Sequence, residues 1–292
     1  MIKKGIAVLA ALTVLLAMPA ADATSIVNVV AVGDVATYNG GQTQTATLTK
    51  NLAPNKVFLL GDLAYQDGTD ANFRNYFLPS WESILPKTWA VPGNHEYNTD
   101  NAQGYRNLVS HYKLPHTGNK LWWAKKLSGW TVIGLNSETV WDSLGAAQIS
   151  FLKATLKSNN HRPTIVMWHR PRISRGEHGN QPDTNGLWSL VSSDPDVKLV
   201  LWGHDHNYEQ VNRVIGRGKL SQHMVTTIVV GTGGAELRDC TSANIAGQLI
   251  CGRDVDYGVL NLKLATRSFT WSYRQADGSI LGSEQDFGSV SW

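Results

Sequence analysis

Cysteine is nearly absent: of 292 residues, only Cys240 and Cys251 carry a thiol. Two sulfurs cannot build a sulfur-only metal site, so a metal in this chain needs nitrogen and oxygen donors. The pair fits an oxidising compartment, where it would close a short loop worth roughly 3 kcal/mol in the chain-entropy model; two separate buried thiols are the other reading. After the first 23 residues no apolar run is long enough to span a bilayer. An excess of either charge is missing too. Lys and Arg number 26 against 23 Asp and Glu, and the net charge of +3 is too small to point to nucleic acid or an anionic membrane surface. There is no Asn-x-Ser/Thr sequon, so N-glycosylation is not expected. No internal repeat, low-complexity tract or Pro-rich linker divides the chain, which makes one domain the simplest organisation.

What is present is a chain 42% hydrophobic and 17% charged, able to bury a full core. Residues 1–23 have the form of a secretory signal. Lys3 and Lys4 give the charged start, residues 6–18 the short apolar centre, and Ala21-Asp22-Ala23 the small-x-small cleavage site. Pro19 and the shortness of the run argue against a membrane anchor. Residues 24–292 are then expected as the mature protein, secreted to the extracellular space or periplasm.

The β-branched run at 26–32 ends in Gly33-Asp34 and reads as a strand buried on both faces. Further strands are expected at 57–60, 88–91, 130–135, 163–168 and 197–202, and helices at 42–52, 72–85, 146–156 and 187–191. From residue 224 onward the pattern changes to antiparallel sheet, at 224–230, 259–264 and 268–273. Alternation of strand and helix argues an α/β fold, completed by the β-rich C-terminal part.

Five strand ends carry ligand-type residues: Asp34; Asp62 with Tyr65; Asn94 with His95; His169; and His204 with His206. Each has a bland alternative when taken singly. The aspartates and Asn94 suit turns or caps, His169 suits a satisfied core position, and Tyr65 suits packing on a sheet. Together they are harder to reach by turn chemistry, because sites in open α/β sheets form beyond the carboxyl ends of the strands, where distant residues converge. His204-Asp205-His206 is the sharpest signal, since side chains at i and i+2 of an extended stretch point the same way.

The series Gly33-Asp34, Gly61-Asp62-Leu63-Ala64-Tyr65, Gly93-Asn94-His95-Glu96, His169 and Gly203-His204-Asp205-His206 resembles the calcineurin-like metallophosphoesterase superfamily. Within it, the series is most similar to the purple acid phosphatases of the short, single-domain, tartrate-resistant type. The resemblance covers nearly the whole of 24–292 and implies two packed mixed β-sheets flanked by helices, with two metals at the strand ends. Carried over residue by residue, it assigns Asp34, Asp62, Tyr65 and His206 to Fe³⁺. Asp62, Asn94, His169 and His204 are assigned to a divalent ion, Zn²⁺, Mn²⁺ or Fe²⁺, with Asp62 bridging. Hard oxygen donors suit the ferric ion, and an amide with imidazoles suits the divalent one. A ferric phenolate at Tyr65 would colour the protein purple.

The same resemblance implies a phosphomonoesterase that hydrolyses a small-molecule phosphate ester by attack of a metal-bound hydroxide on phosphorus. A monomer is expected, although no sequence feature sets the oligomeric state. His95 would contact phosphate or assist the leaving group. His178, in Arg175-Gly176-Glu177-His178-Gly179, would be the general acid, a surface-loop histidine being its bland alternative. Arg170, Arg172 and Arg175 surround the loop after His169 and either hold an anionic group beyond the scissile phosphate or face water. A phosphodiesterase on the same scaffold is the nearest rival, and an inactive phosphate- or metal-binding protein is the rival of another class.

Overall fold

The structure is a computed structural model that describes residues 26–214, 225–240, 249–251, 256–278, 280 and 287–291; of these, Ser143, 211–214, 249–251 and 287–290 are described by backbone alone. The expected signal at 1–23 and the side chain of Cys251, on which the expected pairing with Cys240 depends, lie outside the described residues. None of the described helices is long and apolar enough to cross a membrane.

The elements run β1 (Val27–Val32), α1 (Gln42–Asn51), β2 (Lys56–Leu59), α2 (Asp70–Asn72), α3 (Leu78–Trp81), β3 (Thr88–Ala90), α4 (Gln103–Tyr112), β4 (Trp123–Leu127), β5 (Trp130–Gly134), α5 (Ser143–Lys157), β6 (Thr164–Met167), α6 (Asn185–Val191), β7 (Val197–Trp202), β8 (Tyr208–Val214), β9 (Val225–Val230), β10 (Leu249–Cys251), β11 (Gly258–Ala265), β12 (Ser268–Gln275) and β13 (Phe287–Ser291). They form a six-stranded sheet ordered β13-β12-β11-β1-β2-β3 and a seven-stranded sheet ordered β10-β8-β9-β7-β6-β5-β4. Both sheets are mixed, as expected. The strands β1, β2 and β3 are parallel, as are β5, β6, β7 and β9, whereas β4, β8, β11 and β12 join antiparallel.

Period-two alternation shows how the layers stack. Along β6, Ile165 and Met167 enter the core that also holds Val30, Phe58 and Leu260 of the six-stranded sheet. Their neighbours Val166 and Trp168 face the other way, into a second core with Leu152 of α5 and Leu187 and Trp188 of α6. The seven-stranded sheet is thus buried on both faces, which explains why its parallel strands read as unbroken apolar runs. On the six-stranded side, Trp81 donates its indole N–H to the carbonyl of Gln42 at 3.0 Å, tying α3 to the start of α1.

Two expectations need correction. The helix expected at 72–85 is four pieces: α2 passes through a π turn at Phe73–Phe77 into α3, and a 3₁₀ turn at Glu82–Lys87 follows. Pro79 has no N–H to give the preceding turn and Pro86 sits inside the 3₁₀ segment, so a regular helix cannot run through. The strands β4, β8, β10 and β13 and the helix α4 were not expected. In α4, Tyr105, Leu108 and Val109 are buried at helical spacing, a signal the sequence did contain.

The carboxyl ends of the parallel strands of both sheets meet. Gly33 donates to the carbonyl of Val230 and accepts from Gly233, while Gly203 donates to the carbonyl of His169. All five ligand-bearing strand ends therefore open onto one place.

Candidate metal centre

Three of the residues that close these strand ends are bent back sharply. Asp34, Asp62 and His204 have φ of 59°, 51° and 73°, the left-handed region, which costs a non-glycine residue about 1–3 kcal/mol and persists where the surroundings over-determine it. Here the determinants are hydrogen bonds. The backbone N–H of His204 donates to Asp34 Oδ2 at 2.9 Å, and that of His95 donates to Asp62 Oδ1 at 2.8 Å. Glycines supply clearance: Gly61, itself at φ 95°, packs on the His169 ring, and a Cβ on Gly93 would fall on the Asp62 carboxylate.

The side chains fall into two groups that share Asp62. In the first, the Tyr65 hydroxyl lies 2.9 Å from Asp34 Oδ1, 3.3 Å from Asp62 Oδ2 and 2.9 Å from His206 Nε2. In the second, His169 Nε2 lies 3.1 Å from Asp62 Oδ2, 3.2 Å from Asn94 Oδ1 and 3.2 Å from His204 Nδ1. All seven expected ligand residues are therefore brought together, and Asp62, His169 and His204 alone can offer donor atoms within 4.8 Å of one another.

The donor set fits cations better than protons. His169 Nδ1 and His206 Nδ1 point at the carbonyls of Leu60 and Glu236, at 2.8 and 2.7 Å. A carbonyl only accepts, so both Nδ1 atoms carry hydrogen and both Nε2 atoms turn to the cluster, the usual arrangement of ligating histidines. His206 Nε2, Asp34 Oδ1 and Asp62 Oδ2 are thus three acceptors around the one proton of Tyr65. One proton satisfies one of them; Asp62 Oδ2 also has His169 Nε2 at 3.1 Å, so His206 Nε2 and Asp34 Oδ1 are left to compete for it, and a buried polar atom left unmatched costs a few kcal/mol.

The electrostatics agree. Burial pushes Asp34 well above the usual carboxylate range, and burial with the charges of Asp34 and Asp62 raises Tyr65. His206 falls to about 4, mainly through burial, and His204 falls further for the same reason with His169 adding to it. Burial would lower His169 as well, but the charge and hydrogen bond of Asp62 outweigh it and push the ring up to about 10. For Asp62 the same pair works in reverse: burial raises its carboxyl, and His169 more than offsets that. With protein groups alone, a proton on His169 Nε2 stands where a cation would.

Glu96 was read only as part of a motif. It is fully buried, and its two oxygens accept from the backbone N–H groups of Asp62 (2.9 Å), Leu63 (2.7 Å), Ala64 (3.4 Å) and Gly93 (2.7 Å). It clamps the loop after β2 to the loop after β3, fixing Asp62 relative to Asn94. Burial, with the Asp62 charge adding to it, raises its pKa to about 7.

Beside the two groups lies a cavity of ≈ 290 Å³ lined by His95, His178, Thr37, Tyr38, Gln66, Glu236 and Arg238, among others. The His95 ring lies 4.3 Å from that of Tyr65, with its Nε2 3.9 Å from Asp62 Oδ2. His178 stacks on His204 at 4.2 Å and is held by Asp205, whose Oδ1 is 2.9 Å from its backbone nitrogen and 3.1 Å from Nδ1. That leaves His178 Nε2 at the cavity, 3.3 Å from Arg238 Nη1. His178 is thus an exposed loop residue whose ring lines the cavity.

The arginines expected around this loop do not form a cluster over the cavity. Arg170 is engaged by Glu138 at 2.9 Å to each carboxylate oxygen and lies behind His204, Arg172 bonds Asn185, and the cation lining the cavity is Arg238. No local motif marks Arg238. It is brought in by the chain leaving β9, with its backbone N–H on the carbonyl of His206 at 2.9 Å.

Comparison with known proteins places this geometry. The sequence profile described as calcineurin-like phosphoesterase matches residues 27–208. A Nostoc sp. (strain PCC 7120) protein named 3',5'-cyclic-nucleotide phosphodiesterase is 29% identical over 161 residues, 51% of this chain and 55% of its own. The chain spans about half the length of the curated relatives it matches. Among solved structures, a purple acid phosphatase from yellow lupin (Lupinus luteus) seeds superposes with a TM-score of 0.74 at 19% identity, covering 92% of this chain and 54% of the lupin one. A Plasmodium protein described as the anchor in the inner membrane complex superposes at 0.69 and 14% identity, covering 91% and 89%.

Proposed function

From the premise that this chain belongs to the calcineurin-like phosphoesterase family, we propose that it is a secreted phosphatase that hydrolyses small-molecule phosphomonoesters at a dinuclear centre of Fe³⁺ and a divalent Zn²⁺, Mn²⁺ or Fe²⁺. Fold alone does not carry this, since the same fold serves a protein described as an anchor. The observation that carries it is the pair of donor groups sharing Asp62, with one phenolic proton among three acceptors. Asp34, Asp62, Tyr65 and His206 would hold one ion and Asp62, Asn94, His169 and His204 the other. Two such ions, when bound, supply Lewis acidity for the phosphoryl oxygens and lower the pKa of water.

The remaining work falls to the chain's own groups. Glu96 and the backbone bonds around Asp34 and Asp62 hold the donors in place, so little reorganisation is needed when substrate arrives. His95 Nε2 faces the cavity beside Asp62 and is positioned to contact a phosphoryl oxygen. His178, its Nδ1–H aimed at Asp205, presents Nε2 to the cavity, where it accepts from Arg238 Nη1 at 3.3 Å; with a proton on Nε2 in place of that bond, and Asp205 stabilising the charged ring, it can hand the proton to the departing alcohol. The export part of the reading rests on the signal-like residues 1–23 and on the Cys240–Cys251 pair.

A phosphodiesterase is the second reading, favoured by the name of the Nostoc relative. Turnover of an aryl phosphate and of its bis-aryl ester by the metal-loaded protein separates the two. The monoester is expected to have the higher kcat/KM. A reversed preference assigns the diesterase, and turnover of neither removes both.

A further inference from the structure

The cavity has two parts. Asp62, Tyr65, Asn94, His95, His178, His204 and His206 surround the place for a phosphoryl group, while Thr37, Tyr38, Gln66, Ala235, Glu236 and Arg238 line the remainder, where the alcohol part of an ester would lie. Tyr38 is anomalous there. It is 73% exposed, more than any other large hydrophobic side chain among the described residues, so it contributes little to the core. Among the described residues its one aromatic neighbour is the edge-on ring of Tyr76, at 6.3 Å and 66°, and with 73% exposure a ring face stays open.

The backbone that carries the ring is nevertheless held in place. It sits in a turn closed by the Gly40 N–H on the Thr37 carbonyl (3.3 Å), with Asn39 in the left-handed region at φ 57°. The Gln42 amide donates to the same carbonyl at 2.9 Å, and Gly41 N–H ties the turn to Gly234, just ahead of Glu236 and Arg238, at 2.9 Å. A flat apolar surface carried on a fixed turn at the mouth of a polar site suits a flat apolar ligand, because only two side-chain torsions remain to be ordered on binding.

We propose that Tyr38 is a specificity-determining residue whose exposed ring face stacks on an aromatic ring of the departing alcohol, so that the preferred substrates are phosphate esters of ring-bearing alcohols. This rests on the phosphomonoester reading above. Two kinds of ester carry such a ring: aryl phosphates, with the ring on the ester oxygen, and nucleotides, with a heteroaromatic ring one sugar away.

The test uses the metal-loaded protein and three substrates: phenyl phosphate, a nucleoside 5'-monophosphate and glycerol phosphate. The quantity read is the preference in kcat/KM for each ring-bearing ester over glycerol phosphate, compared between wild type and variant so that leaving-group reactivity cancels. Tyr38→Ala is expected to lower that preference about three- to tenfold for at least one ring-bearing ester, the size of an aromatic pair, and Tyr38→Phe to keep it. The ester that responds identifies where the ring sits. Unchanged preference for both esters overturns the proposal, as does Tyr38→Leu performing as well as Phe, since an apolar side chain without a flat face would then suffice. Failure of the wild type to turn over any of the three overturns the phosphomonoester reading and the proposal with it.

Discussion

Asp62→Asn is expected to cost about a hundredfold or more in kcat/KM, and more than Asp34→Asn. Asp62 is the one side chain within reach of both donor groups, with Oδ2 3.3 Å from the Tyr65 hydroxyl and 3.1 Å from His169 Nε2. Groups that merely orient ligands cost 10–100-fold in metal affinity or activity when removed, and a donor common to two ions should exceed that range. The neutral amide also removes the charge that offsets both ions and sets an N–H₂ against groups that need an acceptor. Metal content should fall in parallel. Small, equal losses in the two variants would mean that Asp62 is not shared.

His178→Ala is expected to slow alkyl phosphates about 10²- to 10⁴-fold, the usual contribution of a positioned acid, while leaving nitrophenyl phosphate far less affected, because nitrophenolate departs without a proton. The geometry behind this is the Asp205 hydrogen bond to Nδ1, which aims Nε2 at the cavity. His95 has a different setting, its ring against Tyr65 and its Nδ1 on the Gln66 carbonyl, so His95→Ala should weaken both substrates alike. Equal losses on the two substrates for His178→Ala would make it a phosphate ligand, and no loss on either would remove it from the chemistry.

These residues differ in how far the sequence announces them. The metal donors were legible because each follows an apolar run ending in a glycine or at the strand's last residue, and parallel strands bring such ends together whatever the order of the sheet. His178 was legible only through the resemblance, and its setting follows from Asp205, which the sequence shows merely as the residue between two histidines. Glu96 could have been found as a carboxylate three residues after Gly93, but its four backbone donors come from two loops 30 residues apart. Arg238 and Tyr38 had no local signature. One lies on an irregular segment after β9 and the other on a four-residue turn, and where either points depends on contacts with remote backbone.

The fold divides in the same way. Strands buried on both faces are continuous apolar runs, so β1, β6 and β7 were plain. In β4, Lys125 and Lys126 stand at the edge of the sheet and break the apolar pattern. In β8, the buried Glu209 and Gln210 are satisfied by the neighbouring Asn207 and by Ser174 and Trp271, distant in the chain, which makes polar residues tolerable inside a sheet.

The central claim is a two-ion centre with Asp62 between the ions and a phenolate on one of them. It is tested most directly by measuring the metal content and visible spectrum of purified protein, for the wild type and for Tyr65→Phe. The account predicts two ions per chain, one of them iron, with a broad visible band in the wild type that Tyr65→Phe loses while the divalent ion stays bound. A single ion per chain, or an iron-loaded wild type without colour, would contradict it.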